Sequence, residues 1–114
     1  MNFNLNIKPL SVNKLYNGQR TRSKLYNKYH RDVSFLLPKL KEKLPEMLSI
    51  EILFGFSTKN ADIDNCCKGI IDIISKKYQF NDNRIYELNL RKHIVPKGKE
   101  YIEINIKQYE HHTN

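Results

Sequence analysis

Apolar and polar residues alternate at Phe3, Leu5 and Ile7, a period of two that predicts a half-buried strand running into Pro9. Residues 10–21, LSVNKLYNGQRT, hold an Asn-Gly pair among basic residues and predict an exposed loop. The spacing then changes. Leu25, Tyr29, Val33, Leu36, Leu37, Leu40 and Leu44 recur at helical intervals, predicting a helix over residues 23–46 that Pro38 kinks or divides. Alternation returns at Ile50, Ile52, Phe54 and Phe56, a second strand reaching Thr58 and Lys59.

A second helix is predicted from Asp64 to Tyr78, with Asp62 or Asp64 placed to cap its N-terminus. Ile63, Cys67, Ile70, Ile71, Ile74 and Tyr78 fall on one stripe that would pack on a sheet. After the turn QFNDN, residues Ile85 to Ile94 predict a third strand, and PKGK at 96–99 turns the chain into a fourth, Tyr101 to Lys107. The order β-α-β-α-β-β implies an α+β fold, a mixed four-stranded sheet with helices packed on one face. At this length a single domain is expected, over residues 1–109, followed by a polar tail, 110–114.

Composition narrows the function. The chain is 39% hydrophobic and 28% charged, and no apolar run approaches the length of a membrane span. Residues 1–8 lack the charged-then-apolar layout of a secretory signal, which points to the cytoplasm. Cys66 and Cys67 agree with a reducing compartment: adjacent cysteines make a strained pair, no CxxC suggests zinc, and the two read as small residues inside a helix. His111 and His112 lie in the tail with no neighbouring ligand at workable spacing.

The net charge is +8, and it is unevenly distributed. Before Asp32 there are seven basic residues, Lys8, Lys14, Arg20, Arg22, Lys24, Lys28 and Arg31, and no acidic one. Such a block is an electrostatic footprint for phosphate, since each Lys or Arg that neutralises a phosphate releases condensed counterions. A solvated, lysine-rich surface is the plainer account, and charge alone leaves both open.

Against this background the segment NADIDNCCKGIID, residues 60–72, concentrates carboxylates. On a helix, residues four apart differ by about 40° in azimuth, so Asp64, Lys68 and Asp72 form a row opposite the isoleucine stripe. An Asp64–Lys68 surface salt bridge, worth roughly 0.2–0.5 kcal/mol, explains one pair. It leaves Asp62 beside Asp64 unexplained, because like charges so placed repel unless a cation lies between them. Mg²⁺ is bound by one or two carboxylates together with waters and phosphate oxygens, so aspartates beside a phosphate-binding surface suit metal-assisted phosphodiester hydrolysis. Asp82, in the turn before the third strand, is a further acid. If that strand's start meets the end of the second strand at one edge, Asp82 approaches Asp62 and Asp64; otherwise NDN is simply a turn.

The run Asp62-Ile63-Asp64-Asn65, then Lys68, then Asp72, then an acidic turn ending at Asp82 before Ile85, resembles the RusA family of Holliday junction resolvases, whose hallmark is D-x-D-N-x-x-K-x-x-x-D followed by D-D-x-x-[IV]. Pro9, Ser11, Asn13 and Tyr16 are similar to the family's run after its first strand, and KGKEYIEINI to its closing hairpin, so the resemblance covers residues 3–107. One position departs: the acidic pair is Asn81-Asp82 here, or Asp82-Asn83 if aligned without a gap, the first alignment keeping Ile85 in the family's register.

The resemblance implies an intimate homodimer of phage or prophage type that grips four-way junction DNA and nicks two strands of like polarity. It implies that Asp62, Asp64 and Asp82 hold Mg²⁺, with Mn²⁺ a possible substitute, and that Lys68 supports the scissile phosphate; by position, Asp72 is expected to orient Lys68, and Asn65 to stand with it behind the site. Charge and position nominate Asn13, Lys14, Arg20, Arg22, Lys24 and Lys59 for DNA contact. The alternatives are a basic junction-binding protein without catalysis and a structural dimerisation protein. An RNA-binding sheet is disfavoured, because RIYELNLRK lacks the glycine-and-aromatic signature of that class.

Overall fold

The computed structural model describes residues 1–11 and 24–111. In chain order the elements are β1 (Asn2–Leu5), α1 (Lys24–Leu36), β2 (Leu48–Phe56), α2 (Ile63–Lys77), a short 3₁₀ turn (Asp82–Arg84), β3 (Ile85–Ile94) and β4 (Tyr101–Gln108). The fold is α+β with a mixed four-stranded sheet, as the alternation and helical spacing imply. No helix among the described residues is long and apolar enough to cross a membrane.

Two expected boundaries change. The first strand ends at Leu5, before Ile7. The helix expected over 23–46 stops at Leu36, because proline removes a donor and disfavours helical geometry at the residue before it, and Pro38 follows two residues later. Leu37 and Leu44 still reach the core, so their helical spacing reports burial rather than a continuing helix.

The sheet order is β1-β4-β2-β3. β2 lies inside, antiparallel to β4 and parallel to β3, while β4 also pairs antiparallel with β1. Parallel neighbours need a long crossover, and α2 supplies it between β2 and β3. β3 and β4 therefore do not form the closing hairpin that KGKEYIEINI resembles. The chain leaves β3 beside Phe56, where the Val95 N–H donates to the Phe56 carbonyl at 2.7 Å, crosses the end of β2 and returns on its other side as β4.

One face of the sheet carries the core. Ile50, Ile52, Phe54 and Phe56 of β2 and Ile102, Ile104 and Ile106 of β4 are buried with Tyr26, Tyr29 and Val33 of α1 and Cys66, Ile70, Ile73 and Ile74 of α2. Both helices thus cover the same face. The other face is polar, with Glu51, Asn89, Arg91, Glu103 and Asn105 around a shallow cavity of about 180 Å³.

Candidate active site

β2 delivers the chain to the acidic segment. Past Phe56 the loop 57–61 is held by Lys92, whose Nζ donates to the carbonyls of Lys59 at 3.1 Å and Ala61 at 2.9 Å. Lys92 stands opposite Phe54 in the β2–β3 register, on the strand parity otherwise taken by Leu88, Leu90 and Ile94. A lysine among those apolar positions is the sequence signal for this brace.

Asp62 occupies the N-cap position of α2 with extended backbone (φ −95°, ψ 127°) but makes no side-chain capping bond. Its Oδ2 instead accepts from Asn65 Nδ2 at 3.3 Å, and Asp64 Oδ1 accepts from the Asn65 N–H at 3.0 Å. Asn65 thus touches both carboxylates, and both aspartates are exposed. Among the described residues neither enters an ion pair; the pairs present are Lys28–Asp32, Arg91–Glu51 and Lys107–Glu51. The Asp64–Lys68 bridge of the plainer account is absent. Lys68 is exposed and its ammonium is not engaged by Asp72, which is half-buried one turn further on.

Beside Asp62 opens a pocket of about 380 Å³ whose walls include Lys8, Ser11, Thr58, Asn60, Asp62 and Asn65. Lys8 brings a cation to the same pocket as Asp62, a juxtaposition across the chain that no local motif announces. Behind it the cysteines are buried and free. Burial first, then the negative charges of Asp62 and Asp64, pushes the Cys66 thiol up to about 11; burial and Asp64 do the same at Cys67. They stay protonated packing groups, as their place in a helix suggests.

Asp82 is elsewhere. It opens the 3₁₀ turn before β3, exposed, where β3 starts level with Leu48, the first residue of β2. The sequence expectation had the start of β3 meeting the end of β2, which requires antiparallel neighbours. The strands run parallel, so Asp82 lies at the opposite end of the sheet within one chain. The fifteen residues of α2, rising about 1.5 Å each, put ~20 Å between this turn and Asp64. Accordingly no group of three acidic, histidine or cysteine side chains able to hold a metal occurs among the described residues. Asn81, which replaces the first acid of the family's pair in the preferred alignment, caps the turn: its Oδ1 accepts from the Asn83 N–H at 3.0 Å, a bond that an aspartate makes equally well.

A model of the family Endodeoxyribonuclease RusA matches residues 10–107. The chain belongs to the RusA family. No curated protein matches it significantly. The match spans every element from α1 to β4, so this is a nuclease family carried on the fold described above. Of the residues nominated for DNA contact, Lys24 opens α1 and Lys59 lies in the turn after β2, both exposed. Asn13, Lys14, Arg20 and Arg22 lie outside the described residues.

Proposed function

We propose that this RusA-family chain is a Mg²⁺-dependent, structure-specific endodeoxyribonuclease, acting as a homodimer on four-way junction DNA in the cytoplasm and nicking two strands of like polarity. Asp62 and Asp64 would hold the metal, Asp82, which lies at the far end of the sheet within one chain, would join them from the second copy of the homodimer, and Lys68 would meet the scissile phosphate. The observation that carries this reading is the pair of exposed carboxylates at the start of α2, without a cation partner among the described residues, in a chain matching an endodeoxyribonuclease family.

The donor set fits such an ion: two hard oxygen donors, which is how many carboxylates Mg²⁺ commonly takes, with waters and phosphate oxygens filling the rest. When bound, the ion supplies Lewis-acid polarisation at the scissile phosphate, and Mn²⁺ can serve the same ligands. The chain does the positioning. Asn65 fixes the Asp62 carboxylate, Lys92 fixes the loop that carries it, and Lys68, without an ion pair among the described residues, projects its ammonium about 6 Å further along the helix axis than Asp64. The basic residues gather the DNA, while the acidic ones localise the cation.

A labelled four-way junction incubated with and without Mg²⁺ tests this: paired, metal-dependent nicks are expected, and their absence counts against the proposal. Asp64→Asn is expected to abolish cutting and to leave junction binding intact, because it removes a metal ligand and no positive charge. Normal cutting by that variant would show that the site is misassigned. A second reading, a junction-binding protein without catalysis, draws on the distance of Asp82 from the other two acids. It predicts salt-sensitive binding and no cleavage in any divalent metal.

A further inference from the structure

α1 buries Tyr26, Tyr29 and Val33 in the core. The helical repeat sets Lys24, Lys28, Arg31 and Phe35 within about 60° of one another on the opposite side, Phe35 about 160° around from Val33. All four are exposed, and Phe35, at 86%, is the most exposed large hydrophobic residue among those described. Single apolar residues on a surface are ordinary. This one ends a row of cations on one helix face, beside a hollow of about 490 Å³ lined by Asn6, Ile7, Arg31 and Leu36.

The row has a direction relative to the acidic pair. Tyr29 lies beside Leu10 and Cys66, and Cys66 is one turn along α2 from Asp62. At the other end the Tyr78 hydroxyl, just past α2, donates to the Pro38 carbonyl, just past α1, at 2.7 Å. The two helices therefore run side by side in one direction. The row starts towards the end of the molecule that bears Asp62 and Asp64 and leads away from it. From Lys24 to Phe35 it spans about 17 Å, roughly five base-pair steps of duplex DNA.

Charge selects the occupant of this face. Among the described residues Lys24 and Arg31 enter no ion pair, and the one acid on the flank, Asp32, meets Lys28 at 2.8 Å in an exposed i,i+4 pair that holds its members weakly. Protein-binding faces are depleted in lysine. Duplex DNA takes lysine and arginine on its phosphates and accepts apolar side chains against the base edges of its minor groove. We infer that the outward face of α1 holds a duplex arm of the DNA substrate, with Lys24, Lys28 and Arg31 on its phosphates and Phe35 packed in the minor groove beside them. This rests on the reading of the chain as a nuclease acting on branched DNA, and it adds a contact region outside the metal site.

Two experiments test it, both in chelator so that nothing is cut. The chain has no tryptophan, so Phe35→Trp places a single fluorophore on this face. Its emission is expected to be quenched as a four-way junction is added, with the midpoint of the binding curve. Emission that stays constant while the junction binds overturns the proposal.

In the second experiment labelled junction and plain duplex are titrated with Phe35→Ser, with Lys24→Gln and Arg31→Gln combined, and with Lys107→Gln, which removes a charge from the opposite, polar face of the sheet. Phe35→Ser is expected to weaken binding to both about tenfold, what withdrawing a buried phenylalanine costs, and to leave the salt dependence unchanged because no charge is lost. The double substitution at Lys24 and Arg31 should lower the salt slope by about 2, and Lys107→Gln should leave slope and affinity close to wild type. Phe35, Lys24 and Arg31 are exposed, so their variants should keep the wild-type urea midpoint. Binding by Phe35→Ser within about twofold of wild type, as a face serving another protein would show, overturns the proposal. So does a double variant that binds no more weakly than Lys107→Gln. Either result leaves the nuclease reading standing where the wild type nicks junctions in Mg²⁺, whereas a wild type that neither binds nor cuts DNA overturns the two together.

Discussion

Gly55 lies in β2 between two cross-strand neighbours, Tyr101 on β4 and His93 on β3, whose side chains meet over it, Tyr101 Oη lying 3.3 Å from His93 Nδ1. A methyl group at Gly55 would overlap the Tyr101 ring, so Gly55→Ala is expected to displace that ring and cost about 1–3 kcal/mol, the usual range for overpacking. Urea denaturation measures it, and an unchanged midpoint would refute the packing argument. Glu100 braces the nearby crossing from β3 to β4: Oε2 accepts from Ser57 Oγ at 3.0 Å and Oε1 from the Gly98 N–H at 2.8 Å. Its own N–H first, then Ser57, Gly98 and Lys8, hold the carboxyl below its ordinary 4.5. A folded pKa below the unfolded one contributes stability that is present above the unfolded value and is lost as pH falls through the folded value. The stability gap between wild type and Glu100→Gln should therefore be constant above about pH 5 and shrink at more acid pH. A gap that does not change with pH would contradict this.

At the scale of elements, α2 links stability to the site. Its buried Ile70, Ile73 and Ile74 seat the helix on the sheet, and the same packing presents Asp64, Asn65 and Lys68 to solvent. Ile70→Ala is expected to destabilise the protein by about 2–5 kcal/mol through lost burial and the cavity left behind; thermal denaturation showing less than about 1 kcal/mol would mean that the site collapses freely. β3 contributes through Lys92. Lys92→Met removes the donor that holds the carbonyls of Lys59 and Ala61 and frees the loop leading to Asp62. Loss of such a support typically weakens metal affinity, so half-maximal cutting should need about tenfold more Mg²⁺ while DNA affinity in chelator stays close to wild type. An unchanged Mg²⁺ requirement would leave Lys92 a purely structural brace.

For the whole molecule, the net charge of +8 sets how DNA is gathered. Contacts with about six phosphates would weaken junction binding ~10³-fold between 50 and 200 mM salt, measured in chelator so that cutting does not intervene. A decline of less than about tenfold would mean that the basic residues do not face the DNA. The separation of opposite charges matters equally, since the acidic pair sits at the start of α2 while seven basic residues precede Asp32 with no acid among them.

Local pattern was enough for much of this protein. Alternation at Ile102, Ile104 and Ile106 marked β4, the spacing of Ile70 and Ile74 marked α2, and β3 runs from Ile85 to Ile94 as its pattern predicts. D-x-D-N-x-x-K placed two carboxylates and a lysine at one helix start, because side-chain direction repeats with the backbone itself. Strand order was not legible, since Ile85–Ile94 reads the same beside β2 or β4 and parallel or antiparallel. The crossover through α2 and the passage of residues 95–100 over the end of β2 settled that, and with it the distance from Asp82 to Asp62 and Asp64. Periodicity is a property of neighbouring residues, whereas strand pairing is decided by burial and backbone hydrogen bonding between segments far apart in the chain.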